Sequence, residues 1–190
     1  MDYRLEQLIN GPAGSHPAID WIMTQIAWGA EPAFIALVLI WLVAGMWRRS
    51  RPDVVGALSA LVASGVALVI NQLAALLYFR PRPFVSHPGH VHVLLSHSAD
   101  ASFPSDHAAA ALAISVVLQR FHPRLGALAI LASLWVGYAR VYVGDHYPGD
   151  VLGGYISGAV GAALALYLVR HRLELLLGRW RVGSTVGTTD

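Results

Sequence analysis

Five long apolar runs with almost no charge, at residues 30–47, 54–79, 107–118, 125–143 and 151–169, limit what this chain can become. About 20 apolar residues cross the roughly 30 Å hydrocarbon core of a bilayer. No water is present there to pair backbone N–H and C=O groups, so such runs fold as helices. The expected fold is all-α, a polytopic membrane bundle of about five transmembrane helices with N-terminal interfacial helices. Composition agrees: 56% of the residues are hydrophobic and 13% are charged. The third run is the short one, roughly 13 residues or about 20 Å at 1.5 Å per residue. Either it begins as far back as Phe103, or His107 sits below the headgroup level.

Residues 1–28 mix Leu5, Leu8, Ile9, Trp21 and Ile22 with Arg4, Glu6 and Asp20, and Gly11, Pro12, Gly14 and Pro17 divide them. Two short amphipathic helices at the interface are expected, with a packing role. No basic segment precedes an apolar run here, so no cleavable signal peptide is expected. The first membrane helix is expected to begin at Glu31-Pro32. The chain reads as one domain, residues 1–190: an interfacial segment at 1–28, the bundle at 30–169 and a tail at 170–190.

All 13 basic residues are arginine. Arg48, Arg49, Arg51, Arg120, Arg124 and the tail residues Arg170, Arg172, Arg179 and Arg181 fall on one side of the expected bundle. Arg4, Arg80, Arg82 and Arg140 fall on the other. The arginine-rich side is therefore expected in the cytoplasm and the opposite face outside. These arginines flank apolar runs instead of forming a basic face, so no nucleic-acid partner is expected. The absence of cysteine removes disulfide and thiol chemistry. Asn71 and Gln72 are the polar interruption of the second run and read as helix-packing groups. Gly154 and Gly158, spaced as Gly-xxx-Gly, read as a site of close helix approach.

The polar residues of the outer side are concentrated in three places. Residues 139–150 read Ala-Arg-Val-Tyr-Val-Gly-Asp-His-Tyr-Pro-Gly-Asp. Arg140 is a fork for phosphate oxygens. His146 is a nucleophile or proton carrier near neutral pH. Asp150, four residues on, shares its face if the helix has begun, and there accepts the imidazole N–H. Phe79-Arg80-Pro81-Arg82-Pro83-Phe84 closes the second run, its prolines stiffening two guanidiniums. Phe103-Pro104-Ser105-Asp106-His107 opens the third, with Ser105 at the N-cap and free N–H groups that suit a phosphate. Each stretch alone reads as an ordinary polar loop. Their convergence on one face favours an anion site. The connection 84–102 adds His87, His90, His92 and His97, whose spacing fits no standard metal-ligand pattern; a lid or headgroup contact is the better reading.

Together the three stretches resemble the signature of the type 2 phosphatidic acid phosphatase superfamily: Lys-x6-Arg-Pro, then Pro-Ser-Gly-His, then Ser-Arg-x5-His-x3-Asp. Ala75 stands at the lysine position, Asp106 at the glycine and Ala139 at the serine. The resemblance implies His146 as the phosphorylated nucleophile, Asp150 as its orienting group and His107 as the general acid. Arg82 and Arg140 hold the equatorial oxygens and Ser105 is a further donor. No metal and no other cofactor is implied. Arg80 is a candidate replacement for the missing lysine charge. Asp106 either favours the helix N-terminus or raises the pKa of His107. Tyr78 to Phe84 and His97 to His107 further resemble the bacitracin-resistance type of undecaprenyl pyrophosphate phosphatase, in a bacterial cytoplasmic membrane with the site facing the periplasm or outside. That implies a polyprenyl pyrophosphate substrate. Phosphatidylglycerophosphate or phosphatidic acid phosphatase is the alternative enzyme. A lipid transporter or scramblase is the alternative class, marked by intramembrane polar groups, which this chain almost lacks.

Overall fold

The computed structural model describes residues 1–183, with side chains through Val169. Seven helices follow in order: α1 Asp2–Asn10, α2 Pro17–Trp47, α3 Arg51–Leu77, α4 Pro83–Ser86, α5 Asp106–Phe121, α6 Pro123–Tyr142 and α7 Pro148–Gly183. Among the described residues, four helices are long and apolar enough to cross a membrane: α2, α3, α6 and Pro148–Val169 of α7.

The run at 107–118 does not qualify. It forms α5, 16 residues long, or about 24 Å at 1.5 Å per residue. This helix sits at the centre of the bundle, packed against α3, α6 and α7. Alanines at 108, 109, 111 and 113 are all buried. A helix surrounded by its neighbours does not have to match the bilayer, so a short one suffices.

The expected start of the first membrane helix at Glu31-Pro32 is corrected. Helix α2 is continuous from Pro17 through Pro32 to Trp47. The second interfacial piece expected within residues 1–28 forms its first turns, and only α1 is a separate short helix. Pro17 at the first helical position starts α2 in the ordinary way. Pro32 removes one N–H inside it, which membrane helices tolerate because breaking the helix there would expose many more groups to lipid.

Small residues set the spacing of α5 and α7. A Cβ on Gly158 would lie 2.5 Å from the Ala109 carbonyl oxygen, and one on Gly154 would run into the Ser105 carbonyl. Gly158→Val is therefore expected to cost about 1–3 kcal/mol. The check is heat-induced loss of monodisperse protein in detergent. Gly65→Ala, where a Cβ meets nothing within 4 Å, should leave that curve unchanged.

At one end of the bundle His122 Nε2 lies 2.7 Å from Asp53 Oδ1, which also accepts from Trp41 Nε1 at 3.1 Å. Arg48, Arg49, Arg51, Arg120 and Arg124 belong to this end. The tail arginines Arg170, Arg172, Arg179 and Arg181 lie outside the described side chains. At the other end, the C-termini of α3 and α6 meet the N-termini of α5 and α7. All three polar stretches are gathered there.

Candidate active site

His146 lies in the turn between α6 and α7, buried at 2% exposure. The turn is tight: the Asp145 and His146 N–H groups both donate to the Arg140 carbonyl, at 3.1 and 3.3 Å. Gly144 takes a φ of 84°, and a Cβ there would meet the His92 carbonyl oxygen at 2.7 Å, so glycine is required. His146 Nδ1 lies 2.8 Å from the Ser102 carbonyl oxygen. A carbonyl can only accept, so Nδ1 carries the proton and Nε2 keeps its lone pair. Nε2 faces Arg82 Nη1 at 3.4 Å. Burial, reinforced by the charges of Arg140 and Arg82, holds the imidazole pKa below the ordinary histidine value.

Asp150 is not the group that takes the Nδ1 proton. Its Oδ2 stands 3.8 Å from Nδ1. The i, i+4 pair is brought to this distance but short of a hydrogen bond, because α7 begins only at Pro148 and leaves His146 outside the helix. Asp150 instead accepts from Ser102 Oγ at 2.5 Å, from the Tyr147 N–H at 2.8 Å and from Arg80 Nη1 at 2.7 Å. Fully buried, it holds the Ser102 segment and the start of α7 together, and so fixes the histidine indirectly.

Arg80 stands behind His146, outside the lining of the cavity. Its Nη1 and Nη2 bind Asp150 Oδ1 and Asp2 Oδ2 of α1, at 2.7 Å each, and its guanidinium lies over the Tyr147 ring at 3.9 Å. Through these bonds it braces the start of α7 against α1. Helix α1 does more than pack: Asp2 also accepts the Gly149 N–H at 2.9 Å. Asn10 binds the His92 N–H and carbonyl and the Tyr142 carbonyl, all at 2.8 Å. Tyr3 stacks on His87. The histidine-bearing connection is thus strapped down by α1.

Arg82 and Arg140 are buried and joined by a residue that the sequence reading did not single out. Asp145 Oδ1 accepts from Arg82 Nη1 at 2.5 Å, and Oδ2 accepts from Arg140 Nη2. The Arg82 Nε–H donates to Asp100 at 2.7 Å. Arg140 Nη1 donates to the Ala27 carbonyl at 3.3 Å, while its Nε has no partner among the described residues. Ser105 occupies the N-cap backbone position of α5, but its hydroxyl makes no cap bond and is buried without a partner among the described residues. Both groups are unspent donors.

A cavity of about 160 Å³ is lined by Arg82, His97, Asp100, Asp106, His107 and His146, and by Ala75 at the lysine position; Arg140 and Ser105 lie buried outside that lining. Asp106 accepts from Asn71 Nδ2 at 2.8 Å, and Asn71 accepts from Ser157 Oγ at 2.6 Å. This chain links α5, α3 and α7, and gives Asn71 the packing role expected of it. His107 Nε2 lies 3.6 Å from Glu31 of α2. A second cavity of about 320 Å³ starts at Asp106 and His107 and continues between α2, α3 and α5 along Phe34, Val38, Leu61 and Ile114. It is apolar. The pair can take a phosphate at one end and an acyl or prenyl chain at the other.

The sequence matches the PAP2 superfamily over residues 56–174. The chain belongs to that superfamily. It is 40% identical to undecaprenyl-diphosphatase BcrC of Bacillus subtilis over 161 residues, which is 84% of this chain and 80% of that protein. The crystal structure of Aquifex aeolicus LpxE superposes with a TM-score of 0.72 at 26% identity, covering 87% of this chain and 94% of that one. A transmembrane PAP2 type phosphatidylglycerolphosphate phosphatase from Bacillus subtilis shares the fold, with a TM-score of 0.67 over 90% and 85% of the two chains at 21% identity. This PAP2 chain is therefore a multi-pass membrane protein, and its superfamily signature is the set of residues gathered at one end of the bundle.

Proposed function

We propose that this PAP2 protein hydrolyses undecaprenyl pyrophosphate to undecaprenyl phosphate and inorganic phosphate through a phosphohistidine on His146. One observation carries the reading. The free Nε2 of His146 faces a cavity shared with Arg82 and His107, and an apolar groove begins at His107. The relative named undecaprenyl-diphosphatase supports the substrate class.

In the first step Nε2 attacks the terminal phosphorus while the bond from phosphorus to the bridging oxygen breaks. His107 gives a proton to the departing undecaprenyl phosphate. In the second step water attacks phosphorus, His107 takes a proton from it, and the N–P bond breaks to free phosphate and His146. Arg82 and Arg140, held by Asp145, stabilise the charge spread over the equatorial oxygens. The Ser105 hydroxyl supplies one more donor. Those arginines carry the charge that other phosphoryl-transfer enzymes assign to a metal ion, so no step calls for one. The prenyl chain lies in the apolar groove between α2 and α3.

The same reading treats residues 1–190 as one catalytic domain. Arg48, Arg49, Arg51, Arg120 and Arg124 lie at the end remote from the site, which orients the site outward from a bacterial cytoplasmic membrane.

The test is phosphate release by purified protein in detergent from undecaprenyl pyrophosphate, undecaprenyl phosphate, phosphatidylglycerophosphate and phosphatidic acid, each with and without a chelator. The expected result is fastest release from the pyrophosphate, with most activity kept under chelation. Faster release from a monophosphate lipid contradicts the substrate. No release from any of them contradicts the enzyme reading and favours transport. Loss on chelation reversed by added metal contradicts the arginine mechanism.

A further inference from the structure

Arg82 reaches two carboxylates, and they differ in kind. Asp145 is buried at 1% exposure and grips Nη1 twice, through Oδ1 at 2.5 Å and through its backbone carbonyl at 3.1 Å. It belongs to the tight turn after α6 and is also held by Arg140. Asp100 is different: its side chain is 56% exposed and binds the Nε edge at 2.7 Å. It sits on the irregular connection between α4 and α5. Its other partners are its own neighbours, Ser98 Oγ at 2.8 Å and His97 Nδ1 at 3.8 Å. Burial opposes its ionisation, but Ser98 and Arg82 hold its carboxyl below the ordinary range, so it is charged at neutral pH.

A guanidinium binds a phosphate through two parallel N–H groups. With Nη1 spent on Asp145, the edge of Arg82 left for an anion is the one carrying Nε. Asp100 holds the Nε–H of that edge, one of the two N–H groups a bidentate phosphate needs, and both residues line the cavity that holds His146 and His107. On the reading that Arg82 takes the terminal phosphate, we propose that Asp100 is an internal competitor for the phosphate site: its carboxylate sits where phosphate oxygens bind and must swing out when substrate enters. Among the described residues, Arg82 is the one partner of the Asp100 side chain beyond its neighbours Ser98 and His97, so the swing breaks no other contact to the helix bundle. Every ligand that needs this edge binds only to the fraction of molecules in which Asp100 has left it. Apparent affinity is reduced by that fraction for substrate and product phosphate alike. The device weakens retention of phosphate after hydrolysis and so favours its release.

The test uses full-length protein in detergent, with inorganic phosphate and inorganic pyrophosphate as competitive inhibitors. Asp100→Asn and Asp100→Ala remove the competing charge from an exposed position, and thermal unfolding in detergent verifies that each variant is folded. Both inhibition constants are expected to fall by the same factor, about tenfold for the loss of one charge-assisted bond. The equality is the decisive readout. If Asp100 merely repelled anions through its field, the more highly charged pyrophosphate would gain more than phosphate, and that result overturns the proposal. Unchanged or weaker inhibition also overturns it, provided Arg82→Ala weakens inhibition by both ions. If Arg82→Ala leaves both constants unchanged, the phosphate role of Arg82 fails, and the competitor fails with it.

Discussion

His146→Ala is expected to abolish phosphate release from every substrate, a loss of about 10⁴-fold or more, because the atom that bonds to phosphorus is gone. His107→Ala removes only the proton donor and should cost about 10²- to 10⁴-fold. That loss should be smaller for undecaprenyl pyrophosphate than for a monophosphate ester, since a departing phosphate is less basic than an alkoxide. Single-turnover hydrolysis of one substrate of each kind by each folded variant measures the difference. The pH profile carries a matching expectation. Burial holds His146 below the ordinary histidine value, so the imidazole stays neutral and nucleophilic as pH falls past about 6.5. The acid limb that reports the nucleophile in kcat/KM should therefore lie below that pH. An acid limb above it would mean that His146 is not protected from protonation as its burial requires.

Asp145→Ala should produce the second large effect, on both activity and stability. The wild-type carboxylate bridges two buried guanidiniums, accepting from Arg82 Nη1 at 2.5 Å and from Arg140 Nη2. Without it, the buried Arg140 loses its carboxylate partner and faces Arg82, which keeps only Asp100, and a broken buried pair costs about 3–5 kcal/mol. The arginines also lose their fixed separation, and a misplacement of about 1 Å in a catalytic group costs about 10²-fold. Asp145→Asn keeps the shape and one acceptor, so it should unfold at a temperature between the wild type and Asp145→Ala. Thermal unfolding in detergent and kcat/KM, measured on both variants, check the pair of effects. Wild-type activity in folded Asp145→Ala would show that the arginines hold their places without it.

How far the sequence foretold this arrangement differs from residue to residue. The membrane helices were legible because lipid forces apolar runs into helices, and the motif ends met because alternate crossings return to the same face. Pro32 misled because a rule learned in water, that proline ends a helix, weakens where an unpaired backbone has no solvent. Asp150 comes within 3.8 Å of His146 Nδ1, as its spacing implies, but the hydrogen bond goes elsewhere because the helix has not begun at His146. Arg80 carries a usable signal: in an extended segment, residues two apart with a stiff proline between them need not serve the same neighbour, and of the two only Arg82 lines the cavity. Asp145 was in plain sight beside His146, but its bridging role exists only once the end of α6 meets residues 79–84. The α1 strap left no trace, because the bond from Asp2 to Arg80 joins positions far apart in the chain with no local pattern.

The central claim is that His146 carries the phosphoryl group. The most direct measurement is to mix folded protein with undecaprenyl pyrophosphate labelled in its terminal phosphate, quench within one turnover in alkali, and locate the label by peptide mapping. The account predicts an alkali-stable, acid-labile label on His146, absent from His146→Ala and still formed, more slowly, by His107→Ala. A label that persists in His146→Ala and vanishes in His107→Ala would contradict it and reverse the roles of the two histidines.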